Sequence, residues 1–321
     1  MCTAISFSSE KHYFGRNLDL EYCYDEAVTI TPRRFPLSFR NESTRSEHYA
    51  IIGTAIVRDG YPLYYDAVNE YGLAIAGLNF PGNAFYEGHA LHTVAPFELI
   101  PWVLGQCRNV NDAVSLLQNT ALSPTSFSDA LAVTDLHWML SDCNKSITVE
   151  PLPSGLMIRD NPVRVLTNNP PFDFHLHNLK NYLKLSEKEP ENTIAPGLIL
   201  QPYSRGMGAI GLPGDLSSAS RFVRAVFHLH HSVYPQDEIP AVNQFFRILN
   251  TVYQTEGAVQ VGTQLEKTVY TCCYNTDQGI YYYTTYENPQ ITAVHLHRED
   301  LDGKFLIQYP LDKEHVVRQT N

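Results

Sequence analysis

The order in which β-prone and helix-prone segments follow one another constrains this chain most. Thr3 to Phe7 alternates small and apolar residues. Ile51 to Val57, Pro62 to Asn69 and Leu73 to Phe80 are short β-prone runs, and Asn69-Glu70-Tyr71-Gly72 is a hairpin turn between the last two. A helical section follows from about Pro96 to Leu117, in which Asn111 is expected to cap Asp112 to Leu117 and Pro101 to interrupt the part before it. Strands return at Leu136 to Ser141, Ser146 to Glu150, Gly155 to Arg159 and Val163 to Thr167. Residues from about Leu183 to Tyr203 have no clear period, carry Pro190, Pro196 and Pro202, and predict a surface excursion. Ser217 to Val233 and Ile239 to Val252 have helical apolar spacing. The chain then closes with strands at Thr268 to Tyr274, Ile280 to Tyr286 and Gln290 to His295. Strands, helices, strands, helices, strands is not the strict alternation of a doubly wound parallel sheet. It predicts an α+β chain with antiparallel sheets and segregated helical layers. Two sheets between two helical layers would satisfy the pattern, which does not itself count layers. No repeat or linker is evident, so residues 2–321 are expected to form one domain.

The 321 residues, 44% of them hydrophobic, supply ample core. Acidic residues outnumber basic ones by 34 to 23, a formal net charge of −11, which argues against non-specific binding to nucleic acid or anionic membrane. The opening residues lack a basic n-region, and no stretch reaches the roughly 18 apolar residues of a membrane span. The chain is therefore expected to be cytoplasmic, without a membrane anchor. Its six cysteines are scattered, with no C-x-x-C pair, and are expected to be reduced.

Cys2 draws attention by its position. Removal of Met1 would leave it with both a thiol and a free α-amine. The amine's reference pKa of about 7.7–8 lies close to the thiol's, at about 8.5, so the amine can serve as base for its own nucleophile. In Phe14-Gly15-Arg16-Asn17-Leu18-Asp19 a cation and a carboxylate lie close together, on a segment expected to hairpin back against Thr3 to Phe7. The carboxylate could orient the α-ammonium, and the guanidinium could favour thiolate.

These segments resemble the choloylglycine hydrolase family, the bile salt hydrolases and penicillin V acylases. The resemblance starts at Met-Cys-Thr-Ala-Ile and Phe14 to Asp19. It runs on through Asn69 to Leu73, Ala76 to Gly82, Asp135 to Trp138, Leu166 to Pro170, Gly211 to Asp215, Ser220 to Phe222 and Gly279 to Tyr283. It implies a four-layer αββα N-terminal-nucleophile hydrolase sandwich. Cys2 would be the nucleophile, and Arg16 and Asp19 would orient and tune it. Asn168 and the backbone N–H of Asn79 would donate to the oxyanion, and Arg221 would complete the network. Position 79 is the branch point: chains resembling penicillin V acylases tend to carry tyrosine there, whereas those resembling bile salt hydrolases carry asparagine. The resemblance thus implies conjugated bile salts as substrates, cleaved through a thioester, with no cofactor and a homotetrameric assembly. A penicillin V or other N-acyl amide hydrolase and a non-catalytic bile-salt binder are the alternatives. Leu18, Tyr24, Tyr65, Phe127, Leu131 and Leu136 are candidates for a steroid-facing wall. Preference between glycine and taurine is left open.

Other signals carry less. His175/His177 and His295/His297 are H-x-H pairs without an acidic or thiol partner at a metal-site spacing, so no metal is expected. The glycine-rich run Arg205 to Gly214 lacks the Gly-Lys-Ser/Thr of a phosphate loop.

Overall fold

The computed structural model describes residues 1–86 and 90–321. Its first block is β1 (Cys2–Ser8), β2 (His12–Leu20), β3 (Ala27–Thr31), β4 (Ile51–Arg58), β5 (Tyr61–Asn69) and β6 (Ala74–Asn79). Then come β7 (His92–Val94), α1 (Leu99–Leu104), α2 (Val110–Leu117) and β8 (Thr120–Leu122). The middle holds β9 (Leu136–Ser141), β10 (Ser146–Leu152), β11 (Gly155–Asp160), β12 (Val165–Leu166), α3 (Phe172–Asn178), α4 (Ser218–His231) and α5 (Glu238–Asn250). The chain finishes with β13 (Val259–Val261), β14 (Gln264–Asn275), β15 (Ile280–Thr285), β16 (Thr292–His295) and β17 (Ile307–Pro310).

Two antiparallel sheets result. One runs β12-β1-β2-β14-β15-β16, with β13 added to β14; the other runs β11-β10-β9-β6-β5-β4-β3-β17. β1 and β2 meet β6 across the gap between the sheets. α4 and α5 cover the outer face of the first sheet, and α1 packs on β5 and β6 of the second. The architecture is a four-layer αββα sandwich. β1 and β2 lie between a sheet and a helical layer, so both their faces are buried. Polar residues on such strands must find partners there.

Local rules explain how this hairpin sits. A Cβ on Gly15 would lie 2.0 Å from the Cys272 carbonyl oxygen, so only glycine permits β2 and β14 to approach at that point. The turn between β5 and β6 is held by Asn69, whose Oδ1 accepts from the N–H groups of Tyr71 and Leu73, each at 3.1 Å. Gly72 supplies its left-handed conformation, φ +86°.

Two expectations need correcting. Asn109, not Asn111, caps α2, its Oδ1 accepting from Asp112 N at 3.0 Å. The helix starts earlier because Val110 is a core residue whose N–H donates to Asp142 at 2.7 Å. Pro101 does not interrupt the helical section. It is the third residue of α1, where a proline's missing N–H has no intrahelical partner to lose. The excursion after Leu183 is largely irregular and exposes Leu183, Ile194, Ile199 and Tyr203. β3, β17 and α3 gave no signal strong enough to anticipate.

Candidate active site

Antiparallel pairing sets Cys2 opposite Leu18 and Ala4 opposite Arg16, so these side chains share the face turned toward the second sheet. Thr3, Asn17 and Asp19 point the other way, toward the helices: Asn17 Nδ2 donates to Leu249 O of α5 at 3.0 Å. One short hairpin thus displays polar groups on both faces at the end where Cys2 lies. Cys2 itself is 2% exposed.

On the inter-sheet face Arg16 is fully buried. Its Nη1 donates to the carbonyls of Gly77 and, at 3.1 Å, Tyr65, while its Nε lies 4.0 Å from Asp66. Nη2 has no partner. Burial alone would lower the guanidinium's pKa, but the charges that Cys2, Tyr270, Asp66 and Cys272 can carry outweigh it, and the net direction is up. Arg16 is a permanent cation beside the thiol with one donor to spare. Asp66 is in turn held by Tyr270 OH and, at 2.6 Å, Tyr274 OH.

Asn168 lies in the loop after β12, with every polar atom assigned. Its N–H donates to Ser218 Oγ at 2.9 Å and its carbonyl accepts from His175 Nε2 at 2.9 Å. Oδ1 accepts from Cys2 N at 2.9 Å and from Arg221 Nη2 at 2.7 Å, while Nδ2 donates to Asn79 O at 2.7 Å. Behind it, His137 Nε2 donates to Thr167 O at 2.9 Å, and Nδ1 meets Glu150 at 3.1 Å. Burial pushes the His175 imidazole down to about 4, which keeps it a neutral donor near pH 7. The amide is held from both sides by buried rings.

On the helix face Arg221, from the first turns of α4, donates to Cys2 O and, at 2.8 Å, to Thr3 Oγ1. Burial lowers its pKa, against the pull of Asp19, Cys2 and Glu266. The Asp19 carboxylate accepts from Thr268 Oγ1 at 2.6 Å and Gln254 Nε2 at 3.4 Å, not from Cys2 N. Burial raises its pKa, opposed by the amino terminus, Arg221, Thr268 and Arg16. The ammonium of Met1 donates to Asp19 O at 2.8 Å and pairs with Glu266 at 2.9 Å.

The structure thus joins Cys2, Asn79, Asn168 and Arg221 through hydrogen bonds, while Asp19 and Arg16 stand beside them and hydrogen-bond other groups. The apolar candidates divide. Leu18 is buried opposite Cys2, Leu136 pairs with Asn79, and Tyr65 lends Arg16 its carbonyl. Tyr24 is 40% exposed, and half-buried Leu131 lies in an irregular loop. Phe127 packs against Phe97 and Tyr61, beneath Arg40. A cleft of about 450 Å³ between α5 and β15, lined by Phe246, Arg247, Tyr253 and Tyr286 among others, contains none of them.

Glu266, Thr268, Gln254, His137, Glu150 and Asp66 escaped the sequence analysis as site residues. His175 was weighed only as half of an H-x-H pair; on α3 it and His177 diverge, and His175 turns inward to Asn168. Among the described residues no group of three or more His, Cys, Asp or Glu is arranged to hold a metal ion. All six cysteines are free.

Known proteins match this arrangement over nearly its whole length. The family profile described as linear amide C–N hydrolases, choloylglycine hydrolase family, matches residues 2–309. A bile salt hydrolase/transferase of Lactiplantibacillus plantarum is 50% identical over 317 residues, 98% of each chain. One from Clostridium perfringens is 34% identical and covered in full. The crystal structure of a mutant conjugated bile acid hydrolase from Clostridium perfringens superposes with a TM-score of 0.92 at 33% identity over the full length of both chains. Penicillin V acylase from Agrobacterium tumefaciens reaches 0.74 at 20% identity, covering 96% of this chain and 90% of that one, and shares the fold.

Proposed function

The chain belongs to the choloylglycine hydrolase family of linear amide C–N hydrolases, and from that footing we propose that it cleaves the amide joining a bile acid to glycine or taurine. Cys2 is the nucleophile, and Met1 is removed to free its amine. The observation that carries this reading is the contact of Cys2 N, Arg221 and Asn79 with one buried amide, Asn168, at the end of the strand that presents the thiol.

The amine takes the thiol proton, and Sγ attacks the carbonyl carbon. The carbonyl electrons move to oxygen, where the second N–H of Asn168 Nδ2 and the backbone N–H of Asn79 stabilise the oxyanion. Arg16, with its spare Nη2, holds negative charge at sulfur before attack. As the oxyanion collapses the C–N bond breaks, and the nitrogen of glycine or taurine leaves with the proton from the α-ammonium. A thioester remains. Water, deprotonated by the same amine, attacks it and releases the bile acid and the free thiol.

Asn79 and the relatives named bile salt hydrolase/transferase favour bile salts over penicillin V. Leu18, Tyr24, Tyr65, Phe127, Leu131 and Leu136 remain the proposed steroid wall, and residues 2–321 the proposed domain. No helix among the described residues is long and apolar enough to cross a membrane; a cytoplasmic location completes the reading. The homotetramer rests on the family resemblance, and exposed Leu183, Ile194, Ile199 and Tyr203 on the excursion are apolar surface that a second copy would cover.

The test is hydrolysis of glycocholate, taurocholate and penicillin V side by side, with Cys2→Ser as control and mass spectrometry of the amino terminus. Expected are release of glycine or taurine, a near-silent Cys2→Ser variant and a mass lacking Met1. Preference for penicillin V overturns the substrate assignment. Ligand binding by calorimetry without turnover makes the chain a binder.

A further inference from the structure

Glu266 is a carboxylate at this site that the mechanism leaves unused. It lies on β14, is 2% exposed, and its Oε2 pairs with the Met1 ammonium at 2.9 Å. Its Oε1 is buried with no partner among the described residues. Burial raises its pKa, the amino terminus pulls it down, and Asp19 and Glu21 push it up again, so its charge leans on that ammonium. Removal of Met1 takes away the one cation it pairs with among the described residues.

We propose that Glu266 is a positioning residue that anchors the α-ammonium of Cys2 once Met1 has gone. The inference rests on the Cys2-amine reading above. Reach is sufficient: the amine moves by one residue, about 3.8 Å between successive Cα atoms, and the glutamate has a free oxygen and rotatable side-chain bonds to follow it. Charge also requires it. The groups around the amine are Arg16 and Asp19 from β2, Glu266 and Thr268 from β14, Arg221 from α4, Gln254 after α5, Asn168 before α3 and the Cys2 thiol itself, with half-buried Glu21 just past β2 acting on Glu266. The buried cations are Arg16, Arg221 and the amine, and the buried carboxylates are Asp66 beside Arg16, Asp19 and Glu266. Three meet three. Without Glu266 the cluster carries an uncompensated buried positive charge, which disfavours the ammonium form. Glu266 therefore sets the pH at which the amine becomes a base.

The test is the pH profile of kcat/KM for wild type, Glu266→Gln and Glu266→Asp, each shown by mass spectrometry to lack Met1. In Glu266→Gln the acidic limb is expected to move to lower pH by about one unit or more, as for loss of an opposite charge near an ionisable group. Glu266→Asp, which keeps the charge, should hold the limb close to wild type. Should the glutamine variant not fold, Glu266→Leu, similar in volume and uncharged, is expected to show the same shift. A limb that superimposes on wild type in the uncharged variant confines Glu266 to pairing with Met1 and overturns the proposal. A working enzyme that keeps Met1, or a fully active Cys2→Ser, overturns the Cys2-amine reading instead.

Discussion

The two ends of the β1–β2 hairpin are both polar and both buried, yet they are built from opposite materials. At the turn end, Ser6 Oγ meets His12 Nε2 at 3.0 Å and Ser141 Oγ at 2.8 Å, His12 Nδ1 meets Thr276 Oγ1 at 2.7 Å, and Ser141 meets Ser146 at 2.8 Å. Hydroxyls rotate to suit their neighbours, and none of these atoms is left over. At the open end the groups are ionised: Arg16, Arg221, Asp19 and Glu266 surround Cys2. There Arg16 Nη2 and Glu266 Oε1 remain without partners. A neutral, saturated network fixes a strand in place. A charged network with unspent donors and acceptors costs more to bury and is held in readiness for groups that arrive only during reaction.

Truncating one member of each network is the sharpest way to separate the two ends. Asn168→Ala removes an oxyanion donor and is expected to lower kcat by about 10²–10³-fold. Ser141→Ala removes one hydroxyl from the turn-end network, should cost about 1 kcal/mol of stability, and should leave kcat within about twofold. Steady-state kinetics and urea unfolding on both variants decide. Equal kinetic losses at the two ends would erase the distinction.

Gly15 lies between the ends and tests whether they share one support. Gly15→Ala forces a methyl to within 2.0 Å of the Cys272 carbonyl, so β14 must shift away from β2. A loss of about 3 kcal/mol or more by chemical denaturation is expected, with activity falling because Arg16 follows in the chain. An alanine variant as stable as wild type would mean that the strands can part freely.

The same contrast explains what the sequence made legible. Cys2, Arg16 and Asp19 were readable because chain proximity puts them on one hairpin, and alternation along a strand assigns their faces. The α+β class could be read from segregated blocks, since apolar period survives in single segments, whereas the four layers came only with the family resemblance. Thr268 and Gln254 were not readable, because they reach Asp19 across 249 and 235 residues of chain separation, and Glu266 meets the amino terminus just as remotely, through tertiary packing that no local pattern encodes. His175 was hidden differently. Its H-x-H spacing means one face on a strand and divergent directions on a helix, and the residues around Phe172 did not declare which. Asp66 looked like an ordinary strand residue beside tyrosines, and only the stacking of β5 on β14 turns it into the counter-charge of Arg16.

The last expected effect is a pH slope, and it belongs to the turn end. Burial, aided by Arg164 and opposed by Asp142, pushes the His12 imidazole down to about 3, whereas in the unfolded chain it titrates near 6.5. Between those values the unfolded state binds the extra proton and the folded state does not. Stability from this group is therefore complete above about pH 6.5 and declines as pH falls toward about 3, by at most about 1.4 kcal/mol per pH unit. His12→Gln, which cannot titrate, should lower stability at neutral pH and flatten the slope of unfolding free energy between about pH 4 and 6 by close to one proton. Urea unfolding across that range measures it. Parallel slopes for variant and wild type would show that His12 already carries its proton in the fold, and the turn end would then be as charged as the end that holds Cys2.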